Sequence, residues 1–144
     1  MKLLLASPCQ IVIQDKEAGG HSLIGIFHHF KIRVPETADI PANALLPREW
    51  AIFSKWSFEP SETEKKIKLV AEAFWPNDEP LFRAELVAAE ISDNQSAFII
   101  RNGGFPMGQN GLIKIILSIF VDDELAHDPV VLSVRMELVK DLPE

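Results

Sequence analysis

The sequence predicts an all-β domain, an antiparallel sandwich of about eight strands, with an eight-stranded barrel as the architectural alternative. Three observations carry this expectation. Apolar residues recur with period two, turn-forming residues separate the periodic segments at hairpin intervals, and helical spacing with caps at both ends is not found. The 144 residues fit one domain, 1–144, large enough to bury most of its unfolded surface. With 47% hydrophobic and 24% charged residues, the composition is that of a globular chain.

The elements follow in order. A first strand is expected from about Cys9 to Asp15, and Lys16-Glu17-Ala18-Gly19-Gly20 is the turn behind it. From Ile24 to Val34 the even positions are Ile24, Ile26, His28, Phe30, Ile32 and Val34, opposed by His29, Lys31 and Arg33, which reads as one strand with its even face on the core. Ile67, Leu69, Ala71, Ala73 and Trp75 alternate with Lys66, Lys68 and Glu72. Pro80 to Ile91 has good helix formers in Leu86 to Glu90. The flanking Pro76-Asn77-Asp78-Glu79-Pro80 nevertheless reads as a turn between paired strands, so this segment too is expected to be a strand. Ile113, Ile115, Leu117, Ile119 and Val121 form the next alternating set, and Val130, Leu132, Val134, Met136 and Leu138 the last.

The same alternation leaves Leu23, Phe27, Phe53, Val70, Phe74, Ile116 and Phe120 on the nominally outward faces. Large contiguous apolar patches are rarely left in water, so these faces predict either a covering segment or a homo-oligomer. Pro35 to Pro47, with Ile40, Leu45 and Leu46, is long enough to provide the cover.

Charge and length exclude several partners. A formal net charge of -7, with no basic run longer than Lys65-Lys66, predicts no nucleic-acid binding. The run Leu112 to Val121 is interrupted by Lys114 and falls short of the ~20 residues that span a bilayer, so no membrane partner is expected. The opening Met1 to Cys9 superficially has the form of a lipoprotein signal. Its apolar run, Leu3 to Ala6, is shorter than the ~7 to 15 residues an export signal uses, and Pro8 stands where a small residue belongs. One cysteine, Cys9, precludes an internal disulfide and suits a reducing, cytoplasmic setting.

Cys9-Gln10 with Asp15, followed by Gly-His-Ser-Leu-Ile-Gly-Ile-Phe from Gly20 to Phe27 and then Pro35, resembles the opening of an uncharacterised bacterial family of unknown function. Pro106, Gly108 and the strand Leu112 to Val121 running into Asp122-Asp123-Glu124 are similar to that family's later pattern. His21 replaces the usual lysine, and Asn110-Gly111 stands where an aromatic residue is common. The resemblance covers about a third of the chain and implies a β fold and a bacterial origin, with no activity to carry over.

Catalytic chemistry finds little footing. Cys9 has apolar neighbours, no serine elbow occurs, and no catalytic residue is expected. His28 is expected to be a core histidine and His29 to face the other way, so the adjacent pair does not chelate. His21 and His29, eight residues apart, would stand about 26 Å apart on one strand. Asp122, Asp123 and His127 are the weak metal candidates, crowded in one acidic turn, but their spacing fits neither a zinc motif nor a calcium loop. No cofactor is expected. Asn102 to Gly111 holds four of the chain's seven glycines without the lysine and helix of a phosphate loop, so Phe105 and Met107 are expected as contact residues on a mobile loop, with Phe27 on a sheet face. The sequence thus favours a non-enzymatic interaction or accessory protein, with a homo-oligomer or a protein as partner. The alternative is a small-ligand-binding or metal-dependent enzyme domain.

Overall fold

The computed structural model describes residues 1–15, 17, 19–88 and 90–141. Lys16 and Ala18 of the predicted first turn, Ala89 of the Pro80 to Ile91 segment, and the last three residues of the predicted domain lie outside the described residues. Among the described residues twelve strands form in chain order: β1 (Lys2–Gln14), β2 (His21–Ile26), β3 (His29–Val34), β4 (Leu45–Leu46), β5 (Trp50–Ser57), β6 (Ile67–Phe74), β7 (Pro80–Val87), β8 (Gln95–Asn102), β9 (Phe105–Pro106), β10 (Gly111–Val121), β11 (Glu124–Leu125) and β12 (Val130–Lys140).

A four-stranded sheet runs β2-β1-β5-β8, and a six-stranded sheet runs β3-β12-β10-β6-β7 with β11 folded back on β10. Neither closes on itself, so the architecture is a sandwich and not the alternative barrel. The core between the sheets joins Trp50, Ile52, Trp56, Phe98 and Ile100 of the first sheet to the alternating residues of β6, β10 and β12, with Ile115, Leu117 and Ile119 fully excluded from solvent. Burying each such side chain contributes roughly 1.5–3 kcal/mol. The indole of buried Trp56 donates from Nε1 to Ser54 Oγ at 3.1 Å, so the polar end of the largest core side chain is satisfied.

Several expectations need correction. The strand count is twelve because four of the strands are two-residue or newly separated pieces that periodicity does not register. The first strand begins at Lys2, well before Cys9. Ile24 to Val34 is not one strand. It breaks at Phe27-His28, and β2 goes to one sheet while β3 crosses to the other, where it pairs with β12 in parallel, Phe30 opposite Met136. Among the described residues the sandwich is therefore antiparallel except at this one pair. The even face predicted for the core holds in β3, where Ile32 and Val34 are buried, but not before the break: Ile24 and Ile26 are exposed, at 45% and 60%, and His28 is exposed, not a core histidine.

The segment before β5 and the glycine-containing loop before β10 close one end of the sandwich together. β4 pairs with β9, Leu46 opposite Phe105, and Met107 N–H donates to the Ala44 carbonyl at 3.0 Å. Trp50 Nε1 donates to the Gly104 carbonyl at 2.8 Å, and Gln109 Nε2 to the Ala42 carbonyl at 3.1 Å. Gly108 is required here, because a Cβ on it would lie 2.2 Å from the Pro41 carbonyl oxygen. The predicted cover is real in part: Ile40 and Leu46 pack on the core, while Leu45 stays 54% exposed.

Candidate functional site

The four-stranded sheet has a second apolar face. On β5 the inward residues are Trp50, Ile52 and Trp56, so strict alternation turns Ala51 and Phe53 outward, yet both are buried to within 2%. Their cover is the far half of the β1–β2 ribbon. Cys9 and Val12 join Ala51 and Phe53 in one cluster, with Leu23 packed against it. Residues three apart on a flat strand point to opposite faces, so the ribbon rolls over between Cys9 and Val12. Gly25 sits at the roll with φ +67°, and a Cβ there would meet the Gln10 side chain at 2.7 Å. Burial pushes the Cys9 thiol up from its ordinary range, which keeps it a protonated, inert core group.

The roll has two consequences. Ile11, Ile13, Ile24 and Ile26 turn to solvent on the ribbon's other face, 45–60% exposed, with Ile11 and Ile24 directly opposite in register. His21, opposite Gln14, comes down over Phe53 with the ring centroids 5.2 Å apart. Its Nδ1 is buried with no hydrogen-bond partner among the described residues. A buried bare acceptor costs less than a buried unmade N–H, so the proton of the neutral ring belongs on Nε2. Burial first, and the charge of Lys55 second, hold His21 below the usual histidine range.

Beside His21 a groove of about 950 Å³ opens along β8, bounded by the ribbon end (Gln14, Asp15, Gly19), by Lys55, and by Leu86 to Ala88 at the end of β7. Gln95 to Ile99 of β8 line it, together with Glu90, Ser92 and Asp93. Lys55 is half-buried, stands opposite Ala97 in register, and makes no ion pair among the described residues. A smaller hollow of about 180 Å³ lies at the other end, near Gln10, Glu49 and Asn102.

The residues singled out from sequence are scattered. Phe27 is half-buried and belongs to the main core, its ring 5.6 Å from Phe105 and 6.3 Å from Trp50. Phe105 is 1% exposed and so presents no contact surface, while Met107 is partly buried against the same core. Asp122 and Asp123, with φ of 48° and 65°, are the two central residues of the hairpin between β10 and β11. Asp122 Oδ1 accepts from Lys66 N–H at 3.0 Å, and Asp123 lies 3.8 Å from Lys68 Nζ. His127 lies edge-on to Trp56 at 5.1 Å, with Nδ1 2.7 Å from the Asp128 carbonyl. His29 pairs with Glu137 at 3.1 Å, in a different sheet from His21. Among the described residues no three His, Cys, Asp or Glu side chains converge as a metal set.

Sequence reasoning missed the groove, Lys55 and His21 as neighbours, because they come from strands far apart in the chain. The fold and the groove define a β-sandwich with a groove beside one of its edge strands. No family model and no curated protein matches the chain. No helix among the described residues is long and apolar enough to cross a membrane.

Proposed function

We propose that this protein is a non-enzymatic interaction domain of the bacterial cytoplasm that works as a homo-oligomer through its β1–β2 ribbon. One observation carries the reading: Ile11 and Ile13 of β1 and Ile24 and Ile26 of β2 lie together on one exposed ribbon face, and the outer edge of β2 has no strand partner among the described residues. Full burial of an isoleucine contributes roughly 1.5–3 kcal/mol, and these four, 45–60% exposed, have about half of that still to gain. A two-fold contact would bury each of these side chains once in either copy, which makes the patch self-complementary by symmetry. The single buried thiol supports a reducing compartment. The test is sedimentation velocity over a wide concentration range. The wild type is expected to run as a dimer or larger species and Ile24→Glu as a monomer with an unchanged circular dichroism spectrum. A wild type that stays monomeric at the highest concentration overturns the reading.

A further inference from the structure

The four-stranded sheet ends on β8, which pairs with β5 and with no other strand among the described residues. The direction of its free hydrogen-bonding groups follows from one end. Gln95 exchanges both backbone bonds with Ser92, at 2.9 and 3.0 Å, whereas Asn94 gives its carbonyl to Phe58 N–H of the β5 side at 2.7 Å. Gln95 therefore faces away from β5, and by the two-residue repeat so do Ala97, Ile99 and Arg101. The N–H and C=O groups of Ala97, Ile99 and Arg101 line the outer edge with no backbone partner among the described residues.

Exposed edges are normally blunted by charge, proline or a bulge. The other edges of this sandwich follow that practice. β7 opens with Pro80 and carries the Arg83–Glu85 pair at 2.8 Å, β3 carries Lys31 and Arg33, and β2 is deformed at Gly25. β8 carries a single charge, Arg101, near its end. From Gln95 to Ile100 it has no charge and no proline, and its register against β5 is unbroken.

The groove of about 950 Å³ lies beside that edge and is lined by Ala97 and Ile99. Its charges are unequal in what they are free to do. Asp15 caps its own turn, accepting from Glu17 N–H at 3.0 Å, and Glu90 and Asp93 stand on the solvated rim. Lys55 is half-buried and unpaired among the described residues, and His21 offers only its Nε2–H, since Nδ1 is sealed against the protein. The unmet demand of the inner groove is thus for an acceptor with negative charge. Lys55 stands opposite Ala97, one strand in from the edge. A residue of an added strand opposite Ala97 would be two strand spacings away, about 9.6 Å, a gap that a lysine and a carboxylate side chain close between them.

We infer that the β8 edge takes up an extended peptide segment of a partner protein as an added strand, with an acidic side chain of that segment meeting Lys55 and His21 in the groove. Backbone pairing at Ala97, Ile99 and Arg101 supplies the attachment, and the acid supplies the selectivity. This site is separate from the isoleucine ribbon.

A phage-displayed random dodecapeptide library is selected on the immobilised full chain, and the most enriched peptide is titrated into ¹⁵N-labelled protein. The expected peptide is β-prone with one Asp or Glu, and it shifts the amides of Ala97, Ile99 and Arg101. Replacing its acid by the amide weakens binding at least fivefold on the wild type and by less than twofold on Lys55→Gln, which still binds. The proposal is overturned if nothing is enriched over the blank surface, if the peptide shifts Ile24 and Ile26 but not β8, or if the acid-to-amide change has no effect. It is also overturned if those three amides become protected from exchange with rising protein concentration without peptide, which would make β8 a contact between copies.

Discussion

His21 and Phe53 lie ring against ring, 5.2 Å between centroids, although one ends a hairpin and the other is central to the neighbouring β-strand. The contact exists because the β1–β2 ribbon rolls at Gly25 and closes over the outer face of the four-stranded sheet. It turns a face that would otherwise be wet into a second small core, and it sets the imidazole at the mouth of the groove beside Lys55.

This contact makes stability depend on pH in a defined direction. The folded His21 is held below its ordinary value near 6.5, by burial and then by Lys55. Above that value both folded and unfolded chains carry a neutral ring and the full stability is present. As pH falls through it, the unfolded chain takes up the proton first and stability is lost until the folded ring also titrates. The urea midpoint of the wild type should therefore drop between pH 7.5 and pH 5.5 by more than that of His21→Gln, and equal drops would refute the assignment.

Phe53 tests whether the second core is real. At 2% exposure, Phe53→Ala should cost roughly 3–5 kcal/mol by chemical denaturation, whereas Val131→Ala, at 57% exposure, should change stability by less than about 0.5 kcal/mol. A small effect at Phe53 would mean that the ribbon does not seal the outer face.

Phe27 separates core from interface. Its ring packs against Phe30, Trp50 and Phe105, so Phe27→Ser should lower stability by about 2 kcal/mol or more while the mass in solution stays that of the wild type. Ile24→Glu should do the reverse. A shift toward monomer on changing Phe27, with the fold intact, would return this residue to an interface.

The closed end of the sandwich depends on one missing methyl group. Gly108→Ala would drive a Cβ to 2.2 Å from the Pro41 carbonyl and should destabilise by about 1–3 kcal/mol, while Gly103→Ala meets nothing within 4 Å and should be neutral within about 0.5 kcal/mol. Comparable melting temperatures for the two variants would show that the loop moves freely off the Pro41 segment.

Period-two alternation and turn chemistry were enough for the fold class, because both are local: the inward sets of β6, β10 and β12 are legible residue by residue, and Ile115, Leu117 and Ile119 lie where alternation puts them. Alternation cannot say when a chain leaves one sheet for another. Ile24 to Val34 keeps its rhythm across the break at Phe27-His28, so the sequence reads as one strand while the two halves serve opposite layers and Ile24 and Ile26 end in solvent. Phe105 looked like a loop aromatic because nothing local reveals that Leu46, almost sixty positions earlier, pairs with it. The groove was illegible for the same reason. Lys55, His21 and Ala97 are ordinary residues in their own strands, and only register and the roll of the ribbon, both set by long-range packing, bring them to one edge.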